Sequence, residues 1–164
     1  MLTTFWLGLR LLLLIGAANV APIVAKRVLG ARWNAPLDGG LRFFDGRPLL
    51  GSSKTVRGLV AAVATATLGA AALGIPLSAG ALIGAAAMSG DALSSFVKRR
   101  LGIVSSGRAT GIDQIPEALL PLLAVQGLLQ LSLALIMGVT LAFFALEIPL
   151  ARWSYRRGLR DKPY

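Results

Sequence analysis

The chain has 164 residues, 55% of them hydrophobic and 15% charged, with 17 Lys and Arg against 7 Asp and Glu for a formal net charge of +10. A soluble domain carries about a quarter charged residues, and here the apolar excess comes in long blocks, so composition points to an integral membrane protein of one domain, 1–164. Cysteine and histidine are absent, which excludes disulfides, thiolate and imidazole catalysis and Cys/His zinc sites, and leaves carboxylates, Lys, Arg, hydroxyls and oxygen-ligated cations.

The cations divide the chain. Lys26, Arg27, Arg32, Arg42, Arg47, Lys54 and Arg57 form one cluster, and Lys98, Arg99, Arg100 and Arg108 a second. Arg152, Arg156, Arg157, Arg160 and Lys162 form a third, which leaves only Arg10 outside. Basic clusters between membrane-length apolar runs suit a surface facing anionic lipid or polyphosphate better than nucleic acid.

Residues 3–25 are the first apolar run. A cleaved signal peptide would need a basic n-region, and Arg10 lies inside the run instead. A transmembrane helix is the better reading.

Residues 26–58 follow as a long polar loop carrying Trp33, Phe43, Phe44, Leu49 and Leu50 among its charges. Loops of this length are functional or disordered, and the interleaved aromatic and aliphatic residues argue for order. Asp38-Gly39-Gly40 and Asp45-Gly46-Arg47-Pro48 are turn sequences, expected to make two reversals that present Asp38 and Asp45. Ser52 or Ser53 is positioned to cap the next helix. Lys54 and Arg57 at its start make either an anion site or a headgroup anchor. The segment is not a P-loop: Lys54 falls two residues late after Gly51, and no strand precedes it.

Forty residues separate Arg57 from Lys98, with Asp91 as the one ionisable group between them. At about 1.5 Å per residue and about 30 Å of hydrocarbon, that makes two spans. Gly74-Ile75-Pro76 marks the turn. Asp91, Ser95 and Lys98 share one helix face, with Ser94 close by. A carboxylate seven residues inside Lys98 costs about 2.5–3.5 kcal/mol to insert and has to face protein or water. It is either a functional group or half of a structural ion pair.

Residues 107–117 read GRATGIDQIPE. With Pro116 in the first helical turn, Asp113 and Glu117 lie on one face. They serve either as cap and dipole-complementing charge or as part of a cation site. The 43 residues from 109 to 151 make two more spans, with a break near Gln130 to Ser132. The expectation is an all-α polytopic protein with spans 3–25, 59–74, 77–97, 114–130 and 132–151. Two hairpins then bring the basic clusters to one side, which the positive-inside rule makes cytoplasmic, with the N-terminus outside and the C-terminus inside.

These residues together resemble the CDP-archaeol synthase family, membrane cytidylyltransferases related to phosphatidate cytidylyltransferases. The likeness rests on Asn19-x-x-Pro22, Pro36-x-Asp38-Gly39-Gly40, Asp45-Gly46-Arg47, Gly51-x-x-Lys54-Thr55-x-Arg57-Gly58, Gly90-Asp91, Ser94-Ser95-Phe96-x-Lys98-Arg99-Arg100-x-Gly102 and Asp113-Gln114. It implies five transmembrane helices in the inner cell membrane and a cytoplasm-facing site. It also implies a reaction of CTP with a phosphatidic-acid-like lipid that yields CDP-lipid and pyrophosphate with Mg²⁺. By motif, Asp91 and Asp113 are implied to hold metal, and Lys98 joins them as a catalytic residue. Ser95, Lys98 and Arg99 are implied to contact phosphates. Asn19, Asp38, Asp45, Arg47, Lys54, Thr55 and Arg57 are implied to bind substrate, most of them as the nucleotide loop and its lid.

Two departures stand out. The His-Gly-Gly element of the longer phosphatidate enzymes is missing, and Pro116 replaces the second Asp of many archaeal members, with Glu117 one residue on as its substitute. One Mg²⁺ is therefore expected rather than two. The rival classes are a phosphotransferase that consumes CDP-lipid, a small transporter, and a non-catalytic lipid-binding protein.

Overall fold

The structure is a computed structural model, and it describes residues 2–104, 107, 109 and 111–156. Arg108, Arg157, Arg160 and Lys162 of the basic clusters lie outside the described residues, as does the side chain of Arg152. The described residues form helices α1 (Leu2–Leu29), α2 (Val56–Ala72), α3 (Leu77–Arg100), α4 (Gln114–Ala124), α5 (Gln126–Leu129) and α6 (Leu133–Arg156). Among them there is no strand, only isolated bridges between Pro36 and Thr55 and between Arg42 and Pro48. The all-helical expectation holds, and α1 and α3 are each long and apolar enough to cross a membrane.

The turns fall where chain chemistry puts them. Gly74 takes φ +67°, and Ile75 donates back to the Ala70 carbonyl at 2.8 Å, so α2 reverses into α3. The region expected as the fourth span is broken at Val125 into α4 and the single turn α5. Gln130 then adopts a left-handed conformation, and the chain reverses into α6.

Helix α2 packs on both α1 and α3, α3 packs on α4, and α6 lies against α4 and α1. The core joins Leu11, Leu14 and Ile15 of α1 to the alanine row Ala62, Ala66 and Ala70 of α2, and to Ala79, Ile83 and Ala87 of α3. Small residues set the approach. A Cβ at Gly80 would lie 2.6 Å from the Ala70 Cβ and 2.7 Å from the Ala66 carbonyl oxygen, and one at Gly84 would lie 2.6 Å from the Val63 Cα. In lipid, where apolar burial drives little association between helices, such backbone contact supplies the packing energy.

This up-and-down order gathers the end of α1, the start of α2, the end of α3 and the start of α4 at one end of the bundle. Hydrogen bonds across the connecting loops tie that end together.

The loop between α1 and α2 is ordered by its own backbone. Leu37 donates to Lys54 and Val56 to Ala35, while Phe43 donates to Arg47 and Leu49 to Leu41. Both expected reversals occur, and their aspartates serve them: Asp38 Oδ1 accepts from the Gly40 N–H and Asp45 Oδ1 from the Arg47 N–H, each at 3.0 Å. Asp38 is not presented outward, however. Its second oxygen accepts from the Leu50 and Gly51 N–H groups, and the side chain is buried.

The cap of α2 also differs from expectation. Ser52 and Ser53 stay in a turn closed by the Lys54 N–H to Gly51 carbonyl bond, and helix begins only at Val56. Thr55, held extended by its bridge to Pro36, accepts from the Gly58 N–H and is the cap.

Candidate active site

Helix α3 supplies the inner wall of the loop end. Asp91, Ser94, Ser95, Lys98 and Arg99 recur at helical spacing, and all but Asp91 are buried. The Ser94 hydroxyl donates to the Asp91 carbonyl at 2.9 Å, so it serves its own helix.

Asp91 receives Lys54 from the first loop, with the ammonium nitrogen 2.5 Å from both carboxylate oxygens. On its other flank the Glu117 carboxyl of α4 hydrogen-bonds Asp91 and lies within electrostatic reach of Lys54 and of Glu147 of α6. The close approach of α3 to α4 makes this meeting possible. A Cβ at Gly90 would lie 2.3 Å from the Pro116 carbonyl oxygen and 2.9 Å from the Glu117 nitrogen.

Asp113 belongs to a second pair. Lys98 places its ammonium 2.5 Å from Asp113 Oδ1 and also reaches the Gly107 carbonyl at 3.3 Å. Asp113 Oδ2 accepts from the Ala109 N–H at 3.2 Å. The carboxylate makes no capping bond to α4, so the cap reading of Asp113 is replaced by a pairing that closes the second loop. Asp91 and Asp113 thus carry different lysines, and the carboxyl hydrogen-bonded to Asp91 is Glu117.

The first loop closes over the end of α3 through reciprocal arginine contacts. Arg47 Nη1 donates to the Arg99 and Arg100 carbonyls at 3.2 and 2.6 Å, at the C-terminal end of α3 where the helix dipole favours a cation. Arg100 returns the contact by pairing with Asp45 at 2.8 Å and donating to the Pro48 carbonyl at 2.6 Å. Its guanidinium stacks 4.7 Å from the Phe43 ring and 4.9 Å from the Phe96 ring. Between loop and helix lies a cavity of about 570 Å³, lined among others by Asp38, Arg42, Arg47, Ser52, Arg99 and Val104. Burial pushes the Asp38 carboxyl up, but the N–H groups of Leu50, Gly40 and Gly51 outweigh it and hold the group below the ordinary carboxyl value.

The structure therefore brings Lys54, Asp91, Lys98, Asp113, Ser95 and Arg99 to one end, with Arg47 and Asp38 at the neighbouring cavity. Arg57 is buried and engaged elsewhere. It donates to the Gly30 and Arg32 carbonyls and to Asn34, stapling the loop to the end of α1. Asn19 donates to the Ile15 carbonyl of its own helix.

Glu147, Gln114 and Arg42 carry no role in the sequence reading. Gln114 Nε2 donates to Glu147 Oε2 at 2.9 Å. Glu147, like Asp91, is an acid inside an apolar helix, and that signal is equally visible in the sequence.

Among the described residues no group of three or more Asp, Glu, His or Cys side chains is arranged around a common metal position. The acidic oxygens of Asp91, Glu117 and Asp113 are nonetheless the hard donors that Mg²⁺ takes, one or two at a time alongside phosphate and water.

Comparison with known proteins places this arrangement. The sequence signature described as CarS-like, CDP-archaeol synthase, matches residues 72–164, more than half of the chain. A CDP-archaeol synthase of Hyperthermus butylicus is 41% identical over 60% of this chain and 60% of its own length. That of Sulfurisphaera tokodaii is 33% identical over 79% of this chain and 81% of its own length. That of Thermofilum pendens is 32% identical over 90% and 75%. A solved structure of an intramembrane enzyme for archaeal membrane lipid biosynthesis superposes with a TM-score of 0.71 at 31% identity, covering 86% of this chain and 90% of that one. On these matches the chain belongs to the CDP-archaeol synthase family.

Proposed function

We propose that this protein is the cytidylyltransferase its family is named for, converting CTP and an archaeal-type lipid phosphate into CDP-lipid and pyrophosphate. The observation that carries this reading is the pairing of two acidic centres, Asp91 with Lys54 and Asp113 with Lys98, at one end of an apolar bundle beside an arginine-lined cavity. Such a site accepts a polyphosphate from the aqueous side while apolar helices hold the lipid chains.

In the reaction a lipid phosphate oxygen attacks the α-phosphorus of CTP in line. The bond to the β-phosphate bridging oxygen breaks, and pyrophosphate leaves with that electron pair. The nucleophile is already anionic, so no dedicated base is needed and the absence of histidine is no obstacle. Phosphoryl-type transfer depends on alignment and charge neutralisation. Lys54, Lys98 and Arg99 supply fixed positive charge in a partly dehydrated site. Arg42 and Arg47 offer the nucleotide a cationic wall beside the turn that Asp38 holds. Asp91, with Glu117 or Asp113, would hold one Mg²⁺, whose contribution is to neutralise the triphosphate and the departing pyrophosphate.

We place the chain in the cell membrane with five crossings: α1, α2, α3, the α4–α5 pair and α6. The loop end faces the cytoplasm and the N-terminus lies outside. The basic clusters at that end support this orientation.

One assay tests the function. The purified protein is given labelled CTP with an ether-linked isoprenoid phosphate or a fatty acyl phosphatidate. Label in the lipid extract together with pyrophosphate release is expected. Label in lipid with cytidine monophosphate release would point to a phosphotransferase, and no transfer to either lipid would leave a carrier or scaffold.

A further inference from the structure

Glu147 stands within α6, five residues before Arg152, at the end of a long apolar stretch. A carboxyl at that depth is costly unless it is bonded. One partner is Gln114 of α4, whose side chain is buried. The orientation of that amide is set from its other end. The Gly111 N–H, which only donates, lies 2.7 Å from Gln114 Oε1, so the NH₂ group turns to Glu147.

Gln114 thus joins three parts: the turn at Gly111, the first turn of α4, and the middle of α6. The turn it holds carries Asp113, which sits one residue away. Asp113 is also anchored by its N–H to the Ala109 carbonyl and by Ala109 back to its carboxylate.

Resting on the cytidylyltransferase reading, we propose that Glu147 is a positioning residue: through Gln114 it orients the turn at Gly111–Asp113 and so aims Asp113 and its partner Lys98 at the reacting phosphates. The role is that of an acceptor in a hydrogen-bonded clamp. Glu147 also lies within electrostatic reach of Glu117, so a role through its charge is the competing account, and the two differ in what the amide isostere does.

The test uses the full-length protein in detergent or nanodiscs with the variants Glu147→Ala, Glu147→Gln, Gln114→Glu and the double variant Gln114→Glu/Glu147→Gln. Turnover of labelled CTP gives kcat and KM, and hydrogen–deuterium exchange over 107–117 reports the Gly111 amide. Misplacement of a reacting group by about 1 Å can cost about 100-fold. Glu147→Ala and Gln114→Glu are expected to lower kcat by more than about tenfold and to speed exchange at Gly111, with KM for CTP within about threefold. Glu147→Gln keeps an acceptor and should lose less than about fivefold. The double variant restores a donor–acceptor pair with the roles reversed, and should recover both kcat and protection.

A double variant as slow as Gln114→Glu, or a Glu147→Gln as damaged as Glu147→Ala, would overturn the clamp in favour of a charge role. If Glu147→Ala does not insert, the isosteric pair still decides between the two. Should the wild type transfer no cytidylyl group at all, the enzymatic reading fails, and the exchange pattern at Gly111 decides the clamp by itself.

Discussion

Lys54 and Asp91 join the first loop to the third helix across 37 residues of chain, with the lysine nitrogen 2.5 Å from each carboxylate oxygen. Both side chains are mostly buried, at 17% and 22% exposure. Removing one partner leaves the other with a poorly solvated charge, and Glu117 beside it makes that worse for Asp91. Breaking a fully buried pair costs about 3–5 kcal/mol, and the residual exposure brings the expected loss for Lys54→Ala to about 2 kcal/mol. Thermal unfolding in detergent measures it. Asp91→Asn and Asp113→Asn should each lower CTP turnover by about 100-fold or more while leaving the protein inserted. Wild-type rates in both would refute their role in holding Mg²⁺.

Gly90 is where α3 touches α4. Gly90→Ala would drive a methyl group into backbone atoms of Pro116 and Glu117, which cannot turn aside as a side chain can. Overpacking of this kind costs about 1–3 kcal/mol. It also separates Asp91 from Glu117, so turnover should fall together with the unfolding temperature. A Gly90→Ala protein with wild-type stability and rate would show that the two helices do not meet this closely.

Arg47 and Arg100 latch the first loop onto α3 from opposite sides. Arg47→Ala or Arg100→Ala should loosen residues 41–49, seen as faster amide exchange, and raise KM for CTP more than it lowers kcat. Because each contact supports the other, the double variant should cost less than the sum of the singles. A double-mutant cycle is expected to give a coupling of about 1 kcal/mol.

Asp38 holds a turn by accepting three N–H groups. Asp38→Asn turns a donor toward some of them and should destabilise the loop by about 1–3 kcal/mol. The native carboxyl lies below its ordinary value of 3.8. Its contribution is therefore complete above about pH 4 and is lost as the pH falls through the lowered value. Limited proteolysis of the 30–55 loop should accelerate only in that acidic window, and in Asp38→Asn the acid dependence should weaken.

Much of the molecule is legible in the chain alone. Apolar run lengths between basic clusters mark the helices, and Gly74-Ile75-Pro76 marks a reversal, because both depend on residues adjacent in sequence. The same holds for Asp38-Gly39-Gly40 and Asp45-Gly46 as turns. The resemblance picked out Lys54, Asp91, Lys98 and Asp113 as one site, and the fold does bring them to one end. Their partners were not legible. Whether Asp91 meets Asp113 or Glu117 depends on how far α4 slides along α3, and the contact at Gly90 sets that.

Composition and periodicity by themselves determined an all-helical chain with apolar spans and a polar end rich in cations. Local chemistry suffices for that, since helix formation and burial in lipid depend on contiguous residues. Tertiary packing alone decided that Arg57 staples a loop, that Arg47 and Arg100 exchange contacts, and that Glu147 of the last helix reaches Gln114. Each of those follows from distances between segments far apart in the chain, and such distances exist only once small residues have let the helices close on one another.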